Sequence, residues 1–297
     1  MRYDRVVIGN GSDAVRAVIA GSEQGQRVAL IRSSDAGTDR VTSRMLRRAA
    51  DRLFEAGLVS MTGFRREVAR DVQSQQAADH AELVRLGVDV FAGDIRFADS
   101  KTVAVGTELL AAESIVLACG TKSTPLGQAP FDGQVVLAAE QLLSLDGLPH
   151  SMIVVGAGRT GLDHAIVLAM LGVEVTVVDE HSSHFDLCGG LMNAALFEAQ
   201  SLDIAFRLGD EVIGVEKRTG PHRATVRLAS GRVLTAEAAL ICVGREGRTA
   251  GLDLESAGVG LDEHGRVWCD ADGRTWATHI IAVGDVIGFR ASSALAG

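Results

Sequence analysis

Three glycines near the middle of the chain have the spacing of a turn that binds a dinucleotide. Gly156, Gly158 and Gly161 form a G-x-G-x-x-G motif between one apolar run and a second, helix-like apolar stretch. In such a turn the first glycine allows the tight bend, the second lets the backbone approach a pyrophosphate, and the third lets the helix pack close to the strand. The N-terminus of the helix adds free N–H groups and partial positive charge for the phosphates.

An acidic residue follows the next apolar run, at the position where such a motif recognises the ribose. Asp179 can accept hydrogen bonds from the ribose hydroxyls. With Glu180 it favours NAD(H), because carboxylates repel the 2′-phosphate of NADP(H). The order strand, turn, helix, strand and acid therefore predicts a dinucleotide site, against the alternative of an ordinary turn between a strand and a helix.

A second glycine turn lies near the N-terminus. Gly9, Gly11 and Ala14 repeat the spacing, with alanine in place of the third glycine, and Arg32 ends the strand run that follows. The number of residues from Gly9 to Arg32 equals the number from Gly156 to Asp179. We infer that one βαβ unit is duplicated within the chain.

Composition limits the classes of partner. The 297 residues are 47% hydrophobic and carry a net charge of −9, which argues against a binder of nucleic acid or of an anionic membrane and leaves small-molecule nucleotides as the expected partners. The N-terminus has the pattern of neither a secretory signal nor a membrane span. Four cysteines without a C-x-x-C pattern predict reduced thiols in a cytoplasmic protein, and no metal site is expected.

The pattern of elements predicts an α/β fold with two Rossmann-like dinucleotide-binding domains, the second inserted into the first. Each domain is expected to contain a parallel sheet with helices and a small β-meander. We predict the boundaries 1–147, 148–264 and 265–297. Helical periodicity covers 42–57 and 67–87.

Three further strand runs end in glycine, at Gly120, Gly244 and Gly284. Glycine at the carboxyl edge of a sheet leaves bare backbone where ligands bind in α/β folds. Arg245 and Asp285 directly follow two of these glycines.

In this order the motifs resemble the pyridine nucleotide-disulphide oxidoreductase family, flavoproteins with two dinucleotide-binding domains. The N-terminal turn is similar to the family's FAD turn, and the central turn to its NAD(P)H turn. Ala118–Thr121 looks like the A-T-G motif, and Val283–Asp285 like the motif whose carboxylate contacts the flavin ribityl chain. Within the family, the soluble pyridine nucleotide transhydrogenases are the most similar branch, and the dihydrolipoamide dehydrogenases follow.

The resemblance implies two cofactors and hydride transfer from the nicotinamide to the flavin, then to a second nicotinamide or another acceptor. It assigns the FAD to Gly9, Gly11, Ala14, Arg32, Gly120, Gly284 and Asp285. It assigns the NAD(P)H, with NADH favoured, to Gly156, Gly158, Gly161, Asp179, Gly244 and Arg245. No catalytic side chain is carried over. A dihydrolipoamide dehydrogenase-like diaphorase and an NAD(H)-binding module without turnover are the alternatives.

Several positions depart from the family pattern. The stretch 33–42 has no cysteine where family members with disulphide chemistry carry a pair, so dithiol exchange is not expected. Arg32 stands where a glutamate is usual, and a guanidinium only donates hydrogen bonds. Asp13 opposes a pyrophosphate at close range, or else Ser12 or Asp13 caps the helix.

Other expectations concern the end of the chain and a few polar side chains. The family's C-terminal interface domain is missing, so a homodimer or a partner chain is expected to cover the surface left by it. Asp163 either faces the nicotinamide or is a first-turn residue favoured by the helix dipole. His181 and His184 are either contacts of the adenosine half or a polar loop, and Cys188 is expected to be an unreactive thiol.

Overall fold

The computed structural model describes residues 1–33, 41–127, 130–181, 197–218 and 223–290. His184 and Cys188 lie outside the described residues. The described helices are α1 Ser12–Glu23, α2 Ser43–Ala56, α3 Met61–Arg85 and α4 Arg159–Met170. The described strands are β1 Arg2–Ile8, β2 Val28–Ser33, β3 Asp89–Gly93, β4 Ile95–Asp99, β5 Thr102–Val105, β6 Glu108–Leu117, β7 Thr121–Ser123, β8 Val136–Ala138, β9 Ser151–Val155, β10 Glu174–Asp179, β11 Ala205–Leu208, β12 Val212–Arg218, β13 Arg223–Leu228, β14 Val233–Ala236, β15 Ala238–Ile241, β16 Arg245–Gly247, β17 Val267–Cys269, β18 Ile280–Ala282 and β19 Ile287–Arg290.

The described residues form two compact units, each built from separate stretches of chain. The first unit comprises Met1–Arg40, Ser74–Lys122 and Arg245–Gly297. The second comprises Val41–Gln73 and Ser123–Gly244.

The sheet of the first unit is mostly parallel. Its order is β3-β2-β1-β6-β5-β4, with β18 also paired to β6. The long strand β6 serves two neighbours, because its first half pairs antiparallel with β5 while its last residues, Ile115–Leu117, pair parallel with β18. The register sets Ile8 opposite both Ile31 and Leu117, and Ala282 opposite Leu117. Four parallel strands therefore end together at one edge.

The second unit repeats this plan with a sheet of five parallel strands in the order β11-β10-β9-β15-β8. Val155 lies opposite both Val178 and Ile241, so β9, β10 and β15 also end at a common edge. A separate antiparallel sheet, β12-β13-β14, forms the meander. The α/β class with Rossmann-like parallel sheets, predicted from the sequence, is confirmed.

Local sequence accounts for the ends of α2. The Thr42 hydroxyl accepts a hydrogen bond from the Met45 N–H at 3.3 Å, and Gly57 ends the helix at φ +65°, where glycine is favoured. Leu46, Ala49 and Leu53 face inward and are buried with residues of β9, β10 and α4. The apolar side of this basic helix thus contributes to the core of the second unit.

The compact units do not follow the predicted stretches 1–147, 148–264 and 265–297. Residues 41–73 and 123–147 belong to the second unit, and 245–264 to the first. The physical reason is side-chain packing: Leu137 and Leu142 are buried with Met152 in the second core, whereas Leu252 and Val259 are buried with the first sheet.

No helix among the described residues is both long enough and apolar enough to cross a membrane.

Candidate functional site

The predicted flavin-site glycines lie together at the carboxyl edge of the first sheet. Gly9 follows β1, Gly120 follows β6 and Gly284 follows β18. Gly120 and Gly284 have φ values of +67° and +76°, which favour glycine. These three strands are neighbours and end in register, so the three glycines lie side by side at one edge, and only Gly120 has open space where a β-carbon would stand.

The close approach of two strands explains the glycine at position 9. A β-carbon at Gly9 would overlap the Ala118 carbonyl and would lie 2.7 Å from its carbon. The Gly9 N–H also donates to the Ile31 carbonyl at 3.0 Å, which fixes the turn against β2. The chain then enters α1, whose N-cap is Gly11 and whose first turn buries Ala14.

Asp13 has a specific place in this turn. The N-cap of α1 is Gly11, with no hydrogen bond from a side chain, so the interpretation of Ser12 or Asp13 as a cap is wrong. The Asp13 carboxylate instead forms an ion pair with Arg16 and lies against Gly284. A β-carbon at Gly284 would overlap Asp13 Oδ2 and would lie 2.8 Å from Cγ.

Two other predicted flavin contacts lie near this edge. Arg32 is half-buried at the end of β2, and it is paired in register with Ala92 of β3. Asp285 is exposed within a 3-10 turn that begins at Gly284. Their roles in binding stay predictions.

The second unit contains the more complete glycine turn. Gly156 has φ +107°, and a β-carbon there would lie 2.9 Å from the Cys242 carbonyl oxygen at the end of β15. A β-carbon at Gly161 would overlap the Gly156 carbonyl, so the third glycine does allow α4 to pack on the turn. Gly158 is the N-cap of α4, and a β-carbon there would meet nothing within 4 Å. The backbone at Gly158 is therefore open on the side where a ligand would approach.

Asp179 holds this turn in place. It lies at the end of β10 with 7% of its surface exposed, and its Oδ2 accepts a hydrogen bond from the Ala157 N–H at 2.6 Å. Oδ1 accepts from the His181 N–H at 2.9 Å and lies 3.1 Å from His181 Nδ1. The sequence analysis placed Asp179 at the ribose but did not foresee this bond between the carboxylate and the glycine turn.

Gly244 and Arg245 stand at different places in the structure. Gly244 belongs to the second unit, has φ +70°, and its carbonyl accepts from the Thr124 N–H at 3.3 Å. Arg245 belongs to the first unit, where its Nε donates to Thr121 Oγ1 at 2.7 Å and its NH2 group donates to the Thr121 carbonyl at 3.1 Å. Arg248 donates to the same carbonyl at 3.2 Å. The sequence analysis placed Thr121 in the motif similar to A-T-G but missed this role, because the two arginines are more than 100 residues away in the chain.

Helix α4 contributes two further polar side chains. The helix begins at Arg159 and has no acidic residue in its first turn, so the interpretation of Asp163 as a first-turn residue is wrong. His164 is 5% exposed, and its Nδ1–H donates to the Thr160 carbonyl at 2.7 Å. Burial lowers the pKa of His164 below its ordinary value, so the ring is neutral near pH 7.

The backbone of each unit fits one dinucleotide. In both, a strand, a glycine turn and a helix N-terminus bring unpaired N–H groups to the edge of a parallel sheet, the usual setting for a pyrophosphate. The second unit adds the buried carboxylate of Asp179, whose predicted contact with the ribose stays a prediction. The first unit adds the Asp13 carboxylate, which opposes an anion. Among the described residues no group of three or more His, Cys, Asp or Glu could hold a metal ion.

Comparison with protein families gives a match over almost the entire chain. The model of the family described as pyridine nucleotide-disulphide oxidoreductase matches residues 3–296. Among curated proteins, a soluble pyridine nucleotide transhydrogenase of Mycobacterium bovis is 32% identical, over 98% of this chain and 68% of that protein. A soluble pyridine nucleotide transhydrogenase of Pseudomonas paraeruginosa is 28% identical, over 97% of this chain and 67% of that protein.

Solved structures agree on the fold. LpdA from Mycobacterium tuberculosis superimposes with a TM-score of 0.80 and 26% identity, covering 96% of this chain and 68% of LpdA. The HOCl-induced flavoprotein disulfide reductase RclA from Escherichia coli, as the Cu(II) complex of a mutant, gives a TM-score of 0.79 at 23% identity, covering 97% of this chain and 67% of RclA.

Proposed function

The chain belongs to the pyridine nucleotide-disulphide oxidoreductase family, and from that premise we propose that it is an FAD-dependent NAD(P)H oxidoreductase of the transhydrogenase type. The proposal depends on one arrangement that occurs in both units. At the carboxyl edge of each parallel sheet, a strand is followed by a glycine turn that leads into the N-terminus of a helix. One edge serves the flavin and the other serves the nicotinamide nucleotide.

In the first unit, the bare backbone at Gly9, Gly120 and Gly284 receives the flavin nucleotide. The helix dipole of α1 and the N–H groups after Gly11 bind the pyrophosphate. Asp285 is exposed beside Gly284 and accepts a hydrogen bond from the ribityl chain. When bound, FAD would supply the hydride-transfer chemistry, while these residues would hold and orient it.

In the second unit, the turn from Gly156 to Gly161 binds the pyrophosphate of the nicotinamide nucleotide at the start of α4. Asp179 holds the Ala157 N–H at 2.6 Å and so fixes the shape of the turn. Asp179 and the exposed Glu180 place two carboxylates at the end of β10, which favours NADH because they repel a 2′-phosphate. The acceptor is a second nicotinamide or another oxidant. Dithiol exchange is not part of the proposal, since 33–42 contains no cysteine.

The test is anaerobic titration of the FAD-loaded chain with NADH and with NADPH, followed by absorbance. We expect NADH to bleach the flavin with one equivalent of nucleotide, and NADPH to do so at higher concentration. Turnover with a thionicotinamide analogue of NAD⁺ would support transhydrogenation. A chain that takes up FAD but is reduced by neither nucleotide would contradict the proposal.

One observation favours a second candidate, an NAD(H)-binding module without turnover. The Asp13 carboxylate lies against Gly284 at the edge assigned to the flavin. If FAD does not bind even at high concentration while NADH does, the second candidate replaces the first.

A further inference from the structure

We propose that Asp13 weakens FAD binding to the first unit, so that the flavin exchanges with solution instead of staying bound through many turnovers. This inference rests on the proposed function and deepens it, because it names the residue that controls the loading of the flavin site.

The first step is the position of the side chain. Gly284 has φ +76°, and no side chain of its own covers its backbone. The Asp13 side chain covers it instead: the position of a β-carbon on Gly284 lies 2.8 Å from Asp13 Cγ and 3.3 Å from Asp13 Cβ. The carboxylate of Asp13 thus lies in the space beside Gly284, where a ligand at this edge of the sheet would contact the backbone.

The second step is charge. The first turn of α1 offers N–H groups and the positive end of the helix dipole, which are what a pyrophosphate requires. Asp13 lies within that turn. Its carboxylate lies in the same positive potential that would attract a diphosphate. A diphosphate bound at this turn would therefore be repelled by the Asp13 charge at close range. FAD must therefore bind against both a steric and an electrostatic cost.

The third step concerns Arg16, which pairs with Asp13 three residues along the helix. The Arg16 side chain is 69% exposed and the Asp13 side chain 37% exposed. Because the pair is partly exposed and screened by water, Arg16 offsets the charge of the Asp13 carboxylate only in part.

The experiment is titration of the flavin-free full chain with FAD, followed by flavin fluorescence, for the wild type, Asp13→Asn and Asp13→Ser. We expect the Kd for FAD to fall at least about tenfold in Asp13→Asn, which removes the charge and keeps the size. Asp13→Ser, which also shortens the side chain, should lower the Kd further. Glu23→Gln removes a carboxylate at the opposite, exposed end of the same helix and should leave the Kd unchanged.

The dependence of the Kd for FAD on ionic strength distinguishes the electrostatic effect of Asp13 from its steric effect. The ratio of the wild-type Kd to the Asp13→Asn Kd should shrink toward one as ionic strength rises, because screening weakens the repulsion. Equal affinities of wild type and Asp13→Asn, a wild type that retains FAD through dialysis, or failure of all variants to bind FAD would each overturn the inference.

The same samples distinguish this inference from the proposed function. NADH binding, which we assign to the second unit, should be the same in the wild type and in Asp13→Asn. If FAD binds more tightly to Asp13→Asn but NADH does not reduce it, the proposed function fails and the role of Asp13 stands. If FAD binds equally to both proteins and NADH reduces it, the function stands and the role of Asp13 fails.

Discussion

The carboxylate of Asp179 joins the end of β10 to the glycine turn that precedes α4. It accepts the Ala157 N–H at 2.6 Å through one oxygen and the His181 N–H at 2.9 Å through the other. Because it is buried, these bonds are sheltered from water and each has more effect on stability than a surface hydrogen bond. The residue that the motif assigns to the ribose is therefore also a structural support of the turn.

Replacing Asp179 with asparagine tests this support. The amide can accept one of the two hydrogen bonds, but its NH2 group then faces the other donor. We expect the free energy of unfolding to fall by about 1–3 kcal/mol and NADH to bind more weakly. Chemical denaturation and NADH fluorescence titration measure the two effects. Glu174→Gln changes an exposed carboxylate at the start of the same strand and should alter neither; equal stability of the two variants would contradict the role of Asp179.

The buried ring of His164 predicts a pH dependence. Burial lowers its pKa from the ordinary 6.5, so below pH 6.5 the unfolded chain binds a proton that the folded chain does not. The free energy of unfolding is therefore greatest above pH 6.5 and falls as the pH drops below it. Denaturation curves at a series of pH values should show this fall, and His164→Gln should reduce its slope. His80→Gln, at an exposed position on α3, should leave the slope unchanged.

At the scale of elements, two glycines of the turn between β9 and α4 have different roles: Gly161 is needed for packing, and Gly158 is expected to be needed for binding. A β-carbon at Gly161 overlaps the Gly156 carbonyl, whereas one at Gly158 meets nothing within 4 Å. Gly161→Ala should therefore lower both the melting temperature and the affinity for NADH. Gly158→Ala should keep the melting temperature and lower only the affinity, because its methyl group points to the open side of the turn. If Gly158→Ala binds NADH as the wild type does, the pyrophosphate does not lie at this turn.

Sequence patterns predicted these elements well where the signal is local. The three glycines of the central turn, the helix over 42–57 and the small β-meander all depend on residues near each other in the chain. The 25-residue helix α3 was placed at 67–87, whereas it begins at Met61. Ser60 caps the helix, because its Oγ accepts from the Gly63 N–H at 3.1 Å and its carbonyl accepts from the Phe64 N–H at 2.9 Å; the sequence analysis did not use this serine as a start signal.

At the scale of the whole molecule, what the sequence could not predict depends on contacts between distant residues. Local pattern does not show that Leu46 and Leu53 of α2 are buried with the second core, so residues 41–73, which we predicted within the first domain, lie in the second compact unit. The approach of Asp13 to Gly284 likewise joins the two ends of the first unit. The sequence raised Asp13 as a conflict of charge, but only the folded chain shows which backbone the carboxylate covers.

The two units predict two patterns of protection when ligands bind. NADH should slow amide hydrogen exchange in peptides from 151–181 and leave peptides from 2–33 unchanged, because a ligand stabilises the structure it contacts. Saturating FAD should protect 2–33 and 115–122 instead. Exchange followed by mass spectrometry measures both. Protection of 2–33 by NADH alone would contradict the assignment of one nucleotide to each unit.

The pairing of β18 with β6 has a consequence for the order in which the protein assembles during synthesis. The last strand of the second unit, β15, ends at Ile241, whereas the first sheet needs Ile280–Ala282 beside Ile115–Leu117. During synthesis, all strands of the second unit therefore leave the ribosome before β18, which the sheet of the first unit still lacks at that point. Domains generally fold as units during translation. The second unit can therefore be complete before the first, although the first unit begins earlier in the chain.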